Sequence, residues 1–299
     1  MKALQKTAIS AAAVALLTGL SSISAFAEEA AAEAPEVSPI TANVTVVNDY
    51  RYRGISQSNF KPAIQGGFDY AHESGFYIGN WNSSISWISD STSGTGVNAA
   101  QAGGKSVSAP IEMDFYGGFK KEFIGEGFAS DIGVLQYFYP TSGYPTNNAL
   151  ANPNTTEIYA AQNFTFGPVT GFAKVSYAVT TLFGNINSSG SYYPDLTLNY
   201  DTGMYGISVN GHVGYQYVAG NQPNGGSPAS AAPGVSNSTL YSYTDWKLGL
   251  TKDFGGGLSG SLAYVGTNAA TYHGGYSYAS PQGKNLGRST GLISLTKTF

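Results

Sequence analysis

The amino-acid sequence predicts an all-β fold, a closed antiparallel transmembrane β-barrel of about twelve strands with short periplasmic turns and long extracellular loops. Three observations predict it. Segments in which apolar and polar side chains alternate recur from residue 40 to the end of the chain. The connections between these segments alternate between short and long. After the N-terminal segment, no stretch approaches the ~18 consecutive apolar residues of a membrane-spanning helix.

The N-terminal segment has the three parts of a secretory signal peptide. Two lysines form a charged start, an apolar run of small residues covers 8–20, and residues 25–27 fit an A-x-A cleavage site. We therefore predict that residues 1–27 direct export and that cleavage follows Ala27.

The exported chain divides into a short leader and the barrel. Residues 28–39 are rich in Ala, Pro and Glu, a composition typical of a disordered periplasmic segment. Residues 40–299 form the predicted outer-membrane β-barrel and hold 14 acidic and 12 basic residues, a near balance that argues against a nucleic-acid partner. The chain has no cysteine, so its stability must come from barrel closure or a large core rather than from disulfides.

Twelve alternating runs form the predicted barrel wall. Each covers about nine to fifteen residues, enough to cross a bilayer as a tilted strand. The predicted strands are 40–53, 62–72, 75–89, 110–123, 128–139, 156–166, 169–182, 193–201, 204–218, 241–253, 258–267 and 288–299.

The connection lengths distinguish the two ends of the barrel. Short and long connections alternate strictly, so all the short turns lie at one end, together with both termini. The short turns are 72–75, 124–127, 167–168, 201–204 and 255–257. The longer loops are 54–61, 90–109, 140–155, 183–192, 219–240 and 268–287. This order is typical of an outer-membrane barrel with periplasmic turns.

The stretch NDYRYRGISQS in the first run places charges and tyrosines on alternate positions. In a strand, Asp49, Arg51 and Arg53 share one face, and Tyr50 and Tyr52 share the opposite face. In an outer-membrane barrel we expect the tyrosines at the lipid headgroups and the charges in the lumen. The two arginines then either set a positive potential that selects solutes or brace the first hairpin.

The strand phase predicts a lumen with seven acidic and five basic residues. Such a lumen is either a polar channel whose charges select solutes or a packed interior in which opposite charges pair. Twelve strands lie between the eight-stranded barrels that side chains can fill and the 16–18-stranded open porins, so size leaves both possibilities open. The predicted lumen-facing residues are Asp49, Arg51, Arg53, Asp69, Glu112, Asp114, Lys120, Glu157, Lys174, Asp195, Asp245 and Lys247.

The last run ends in an aromatic residue. Ile293 and Leu295 are in phase with the terminal Phe299, and such a strand resembles the signal that the barrel-assembly machinery recognises. Lys297 occupies the same phase, where an apolar residue is usual, and near the interface its side chain could snorkel to the polar region.

Several blocks of the sequence are distinctive. The most specific is NVTVVNDYRYRGISQSNFKPAIQGGFDYAHESGFYIGNW, residues 43–81. Shorter blocks follow, among them EMDFYGGFK, DIGVLQYFYP, TEIYAAQNF, YTDWKLGLTKDFGGGLSGSLAYVGTN and ISLTKTF. Together these blocks resemble the TorF-like family of proteobacterial porins. The resemblance implies an exported outer-membrane β-barrel that acts as a porin, and it brings no catalytic motif. Loops 90–109 and 219–240 look like insertions.

Enzyme chemistry has little support in the sequence. His72, His212 and His273 are isolated, without an HExxH spacing, so we predict no metal site and no cofactor. A barrel lipase would need a serine beside a histidine, such as Ser208 or Ser176 near His212. No G-x-S-x-G occurs, and the strand phase directs His212 away from lipid.

Two classes of function are consistent with these patterns, a transport channel and a structural or surface-interaction barrel. Loops that bind partners would be expected to carry aromatic residues. The two longest loops have none, and only 268–287 gathers several tyrosines. The sequence therefore favours a channel for small hydrophilic solutes, with outer-membrane lipid and the barrel-assembly machinery as its other partners.

Overall fold

The computed structural model describes residues 38–93, 107–144, 150–223, 232–269 and 271–299. In this part of the chain, twelve long strands form a closed antiparallel barrel, which confirms the predicted fold class. They are β1 (Ile40–Val47), β4 (Ala63–Ala71), β5 (Phe76–Ser84), β6 (Ile111–Gly125), β7 (Phe128–Phe138), β8 (Thr155–Phe166), β9 (Val169–Ala178), β10 (Tyr192–Asp201), β11 (Ile207–Gln216), β12 (Tyr243–Gly255), β13 (Leu258–Thr267) and β16 (Thr290–Thr298).

The barrel closes between its first and last strands. β1 pairs with β4 on one side and with β16 on the other, and Asn43 opposes Thr298 near the chain end. Every barrel strand therefore has two neighbours, and the barrel has no unpaired edge. Turns of two to five residues join β4 to β5, β6 to β7, β8 to β9, β10 to β11 and β12 to β13. These turns and both barrel ends of the chain lie on one side, and the long loops lie on the other.

The smaller elements all belong to the long loops. They are β2 (Arg51–Tyr52), β3 (Ile55–Ser56), α1 (Trp87–Thr92), α2 (Asn237–Tyr241), β14 (Thr271–Tyr272) and β15 (Gly275–Tyr276). None of the helices in the described ranges is long and apolar enough to cross a membrane. The predicted signal peptide and all but the last two residues of the leader lie outside the described residues. So do large parts of loops 90–109 and 219–240.

The outer face of the barrel is apolar. Alternate side chains point outward, and every barrel strand contributes at least one exposed large hydrophobic residue. Leu248 and Leu262, near the middle of their strands, are 63% and 58% exposed. Exposed aromatic residues lie at both ends of this belt, for example Phe166 at the turn end and Tyr177 at the loop end. An aliphatic belt between aromatic girdles is the surface that a bilayer covers.

Tyrosines fill part of the inner face by lying over glycines of the neighbouring strand. Tyr77 on β5 opposes Gly118 on β6, and Tyr116 on β6 opposes Gly79 on β5. A Cβ atom at either glycine would approach the tyrosine side chain to 2.5 Å. Because glycine has no Cβ, the ring can lie flat against the wall, and the interior on this side is densely packed.

The predicted first strand, 40–53, is too long. β1 ends at Val47, and the following residues turn into the barrel. The Asp49 carboxylate accepts hydrogen bonds from Ser56 Oγ at 2.6 Å and Ser58 Oγ at 3.3 Å. These local bonds compete with the strand ladder and fold the chain back on itself as the short β2–β3 hairpin. We call residues 48–62 the inward loop.

The expectation that Tyr50 and Tyr52 face lipid headgroups is wrong for the same reason. Tyr50 is 3% exposed, and its hydroxyl donates to Glu112 inside the barrel. The hydroxyl of Tyr52 lies 2.7 Å from that of Tyr137. Both rings enter the bore with the inward loop because strand alternation no longer applies after Val47.

Candidate functional site

The inward loop crosses the bore and is held at its base by Arg51. Arg51 Nε donates to Asp49 Oδ2 at 2.6 Å, and Nη1 donates to the carbonyls of Gly54 at 2.8 Å and Leu286 at 2.9 Å. The Arg51 guanidinium also lies over the Phe60 ring, 5.2 Å from its centroid. This arginine therefore joins the two arms of the loop to the last extracellular loop.

Arg53 anchors the tip of the inward loop to the opposite wall. Its Nη2 donates to both carboxylate oxygens of Glu157 on β8, at 3.0 and 2.7 Å, and Nη1 donates to Gln216 Oε1 on β11 at 2.6 Å. The guanidinium lies between the rings of Tyr52 and Tyr193, 4.8 and 4.1 Å from their centroids. Both members of the Arg53–Glu157 ion pair are buried. An ion pair with this many hydrogen bonds holds the tip of the loop against the wall, and we call the Arg53–Glu157 pair the latch.

Backbone geometry at the tip shows how tightly the loop fits. Arg53 has a φ of 44° and Gly54 a φ of 76°, both in the left-handed region that closes the turn. A Cβ at Gly54 would lie 2.9 Å from the Cβ of Asp245 and would collide with Thr267. The tip is therefore wedged against β12 and β13, and only glycine fits there.

One side of the bore, next to β4–β8, is filled by side chains, and we call it the packed half. Its buried residues include Tyr50, Tyr77, Trp81, Tyr116, Leu135, Tyr137, Tyr139 and Tyr159. Tyrosine hydroxyls donate to several of the buried acids here: Tyr77 donates to Asp131 at 2.6 Å and Tyr139 donates to Glu112 at 2.7 Å. Tyr116 donates to Asp69 in the same way. Such bonds allow carboxyl groups to remain in an aromatic interior.

The other side of the bore holds a cavity of about 110 Å³ beneath the inward loop. We call it the open half. Its wall is formed by β1 and β16 and by β9–β13 and carries charged and polar side chains, among them the small residues Ser176, Ser261 and Ser294. Because small side chains do not reach the barrel axis, this side is left unfilled while aromatic residues fill the other.

A charged cluster lies on the wall of the open half. His212 Nδ1 lies 2.9 Å from Asp195 Oδ1, and Nε2 lies 2.8 Å from Asp245 Oδ1. Tyr193 Oη donates to Asp245 Oδ2 at 2.9 Å, and Thr197 Oγ1 donates to Asp195 Oδ1 at 3.0 Å. Both ring nitrogens face a carboxylate, an arrangement that a doubly protonated imidazole satisfies. Ser176 and Ser208 are not among the bonded partners of His212 in the described chain, so no serine–histidine nucleophile is assembled here.

A second cavity, of about 170 Å³, lies among the extracellular loops on the other side of the inward loop. Aromatic residues from several loops line it, including Trp87, Tyr144, Phe183 and Tyr278. The Tyr278 hydroxyl donates to the Tyr241 carbonyl at 2.8 Å, and burial raises its pKa, so it stays a donor. Tyr52 lines both cavities. The inward loop is therefore the partition between a vestibule and the open half.

Comparison with protein families gives one match that covers nearly all of the chain. A family described as "Bacterial protein of unknown function (Gcw_chp)" matches residues 29–299. The chain belongs to this family. A search of curated proteins finds no match to the sequence.

Several solved structures have a similar arrangement of strands. The KdgM porin is 6% identical over 87% of this chain and 98% of its own, with a TM-score of 0.46. The NanC porin is 8% identical over 87% of this chain and 98% of its own, with a TM-score of 0.47. The outer membrane protein OprD from Pseudomonas aeruginosa is 10% identical over 87% of this chain and 65% of its own, with a TM-score of 0.36.

The twelve charged residues predicted to face the lumen are all buried or partly buried, but they do not meet at one site. Asp49, Arg51 and Arg53 reach the bore on the inward loop rather than on a strand. Asp69, Glu112, Asp114 and Lys120 lie on β4 and β6, and Glu157 on β8 is paired with Arg53. Lys174, Asp195, Asp245 and Lys247 line the open half. In the described ranges, no group of three or more His, Asp or Glu residues could hold a metal ion.

Sequence reasoning missed Asp131 and the inward tyrosines. Asp131 is 1% exposed on β7 and accepts from Tyr77. The sequence did contain the pattern that places it. Ile132 and Val134 point outward, so the alternation of side chains along the strand directs Asp131 inward. Tyr77 and Tyr193 are harder to place, since tyrosine suits both a lipid interface and a polar interior.

Proposed function

We propose that the chain is an outer-membrane channel for passive diffusion of small hydrophilic solutes, which cross through the open half of the bore. The observation that carries the proposal is the combination of an apolar outer belt with a polar cavity inside a closed barrel. The belt suits a bilayer, and the cavity offers hydrogen-bonding groups along one side of the bore.

The division of the bore supports a narrow channel rather than a wide pore. Aromatic side chains occupy one half, and the inward loop crosses the remainder. In the described part of the chain, a passage remains beside β9–β13 and β16, where Ser176, Ser261 and Ser294 contribute small polar side chains to the wall. Solutes of this channel are therefore small, and the inward loop between the two cavities sets the narrowest point.

Export and assembly complete the proposal. A signal peptide cleaved after Ala27 would deliver the chain to the periplasm, and the strand ending at Phe299 would be recognised by the barrel-assembly machinery. Phe299 is 71% exposed, and Lys297 reaches the carbonyl of Gly256 in a turn, as a snorkelling side chain would.

We also propose that the family to which the chain belongs includes the TorF-like porins, on the strength of the block at 43–81.

Conductance measurements test the function directly. Purified protein inserted in a planar bilayer should give discrete conductance steps, smaller than those of sixteen-stranded porins. Insertion is verified separately by protection of the barrel from protease in vesicles. A silent bilayer with verified insertion would contradict the channel.

The second candidate is a structural barrel that does not conduct. The latch between Arg53 and Glu157 favours it, because a loop held by this ion pair, by the Tyr193 ring and by the hydrogen bond between Tyr52 and Tyr137 could close the bore permanently. The bilayer measurement separates the candidates, since a closed barrel gives no steps at any voltage.

A further inference from the structure

The acids of the open half are all bonded to cationic side chains within the protein. Asp49 is paired with Arg51 at 2.6 Å, and Asp195 and Asp245 share His212. Each of these carboxylates also accepts a hydroxyl hydrogen bond. A carboxylate held by a cation and a hydroxyl presents little free negative charge to a passing solute.

The two arginines are equally engaged. Arg51 donates to Asp49 and to backbone carbonyls, and Arg53 donates to Glu157 and Gln216. Of the two roles considered for these arginines, the geometry favours bracing. They fix the inward loop, and their charges are balanced by Asp49 and Glu157.

Lys174 and Lys247 differ from every other charge in the open half. Both line its cavity, and neither ammonium group has a hydrogen-bond or ion-pair partner among the described residues. Lys174 Nζ lies 4.3 Å from the centroid of the Tyr159 ring, which does not neutralise it. The two lysines are carried by β9 and β12, three strand spacings apart or about 14 Å along the wall.

We infer that the open half selects small anionic solutes, such as carboxylates and phosphate, and that Lys174 and Lys247 hold the selecting charge. This inference rests on the proposed channel function. Asp195 lies opposite Lys174 in the pairing of β9 with β10 and is bonded to His212, which lies opposite Lys247 in the pairing of β11 with β12. With His212 protonated, the cluster of Lys174, Lys247, His212, Asp195 and Asp245 carries a net positive charge. Low-dielectric walls concentrate such a field in a narrow passage, where it attracts anions and repels cations.

Reversal potentials under a KCl gradient test the inference. The wild-type channel should prefer chloride to potassium. The double variant Lys174→Gln/Lys247→Gln keeps two polar side chains and removes both charges, so its chloride-to-potassium permeability ratio should fall about fivefold. Replacing chloride by acetate then measures how well a carboxylate crosses the same passage. In the double variant the acetate current should fall together with the chloride-to-potassium permeability ratio.

Matched controls separate this effect from a general change in charge. Lys121 and Lys284 are exposed outside the cavity, and Lys121→Gln/Lys284→Gln makes the same change in net charge. Its permeability ratio should equal that of the wild type. Lys174→Arg/Lys247→Arg retains both charges and should retain the preference for chloride.

The single variant Lys247→Gln, at the less buried of the two positions, covers the case in which the double variant does not fold. Its chloride-to-potassium permeability ratio should change about twofold.

The outcomes distinguish the inference from the channel function. A conducting wild type that prefers potassium, or a lysine variant with an unchanged ratio, would overturn the anion selectivity and leave the channel intact. A wild type that inserts but does not conduct would overturn both.

Discussion

Replacing Arg53 by alanine is expected to increase the single-channel conductance severalfold. The substitution removes three hydrogen bonds to Glu157 and Gln216 and two contacts with tyrosine rings. It also leaves the buried Glu157 without its cation, which costs about 3–5 kcal/mol when one partner of a buried ion pair is lost. A change of this size shifts the equilibrium between an inserted and a released loop by about 100-fold or more.

Release of the tip joins the two cavities. Tyr52, the residue before Arg53, lines both of them and would move with it, so the vestibule and the open half become continuous when the tip leaves the bore. Conductance and its open-channel noise are read from planar bilayers. The control Lys61→Ala removes an exposed cation from the same loop and should leave both unchanged.

A second variant separates the latch from overall stability. Arg53→Ala/Glu157→Ala removes the ion pair without leaving a charge buried, so it should conduct like Arg53→Ala but lose less stability against thermal unfolding. If Arg53→Ala lowers the melting temperature and leaves conductance unchanged, the inward loop does not obstruct the channel, and Arg53 serves only to stabilise the barrel.

Replacing Leu248 by arginine is expected to destabilise the barrel by about 2–4 kcal/mol in lipid, the cost of a cation on the lipid face near the midplane. Leu248 lies in the middle of β12, is 63% exposed, and pairs across the wall with Gly211 and Tyr264. The free energy of unfolding is measured by urea titration in vesicles.

Met204 provides the matched control for this prediction. It is 61% exposed, but it lies in the turn between β10 and β11, where a charged side chain reaches water. Met204→Arg should therefore change the free energy of unfolding by less than about 1 kcal/mol. Equal effects at the two positions would mean that the outer belt does not face a bilayer.

Most of the barrel could be predicted because its wall follows a local rule. Side chains alternate between lipid and interior, so the period of two marks each strand, and turn lengths mark the ends. The predicted strand 258–267 coincides with β13, and 128–139 ends one residue past β7. Neither result needs knowledge of distant contacts.

The inward loop could not be predicted because its position depends on distant residues. The alternation of charge and tyrosine continues past Val47 and resembles a strand, yet Arg53 bonds to Glu157 and Gln216, 104 and 163 residues further along the chain. The lysines of the open half show the same limit. Their charge was visible in the sequence, but the described part of the fold decides which acids bond to Arg51, Arg53 and His212 and so leaves these two lysines without a hydrogen-bond or ion-pair partner.

Thiol accessibility tests most directly the claim that solutes cross through one half of the bore. The chain has no cysteine, so in a single-cysteine variant the thiol reagent reacts only at the introduced position. Ser261→Cys and Ser294→Cys lie on the wall of the open half, whereas Leu135→Cys lies in the packed half, where the native side chain is 1% exposed. We expect sulfonatoethyl methanethiosulfonate to reduce the conductance of both serine variants and to leave that of Leu135→Cys unchanged. Rapid block of Leu135→Cys without block at Ser261→Cys and Ser294→Cys would contradict the account.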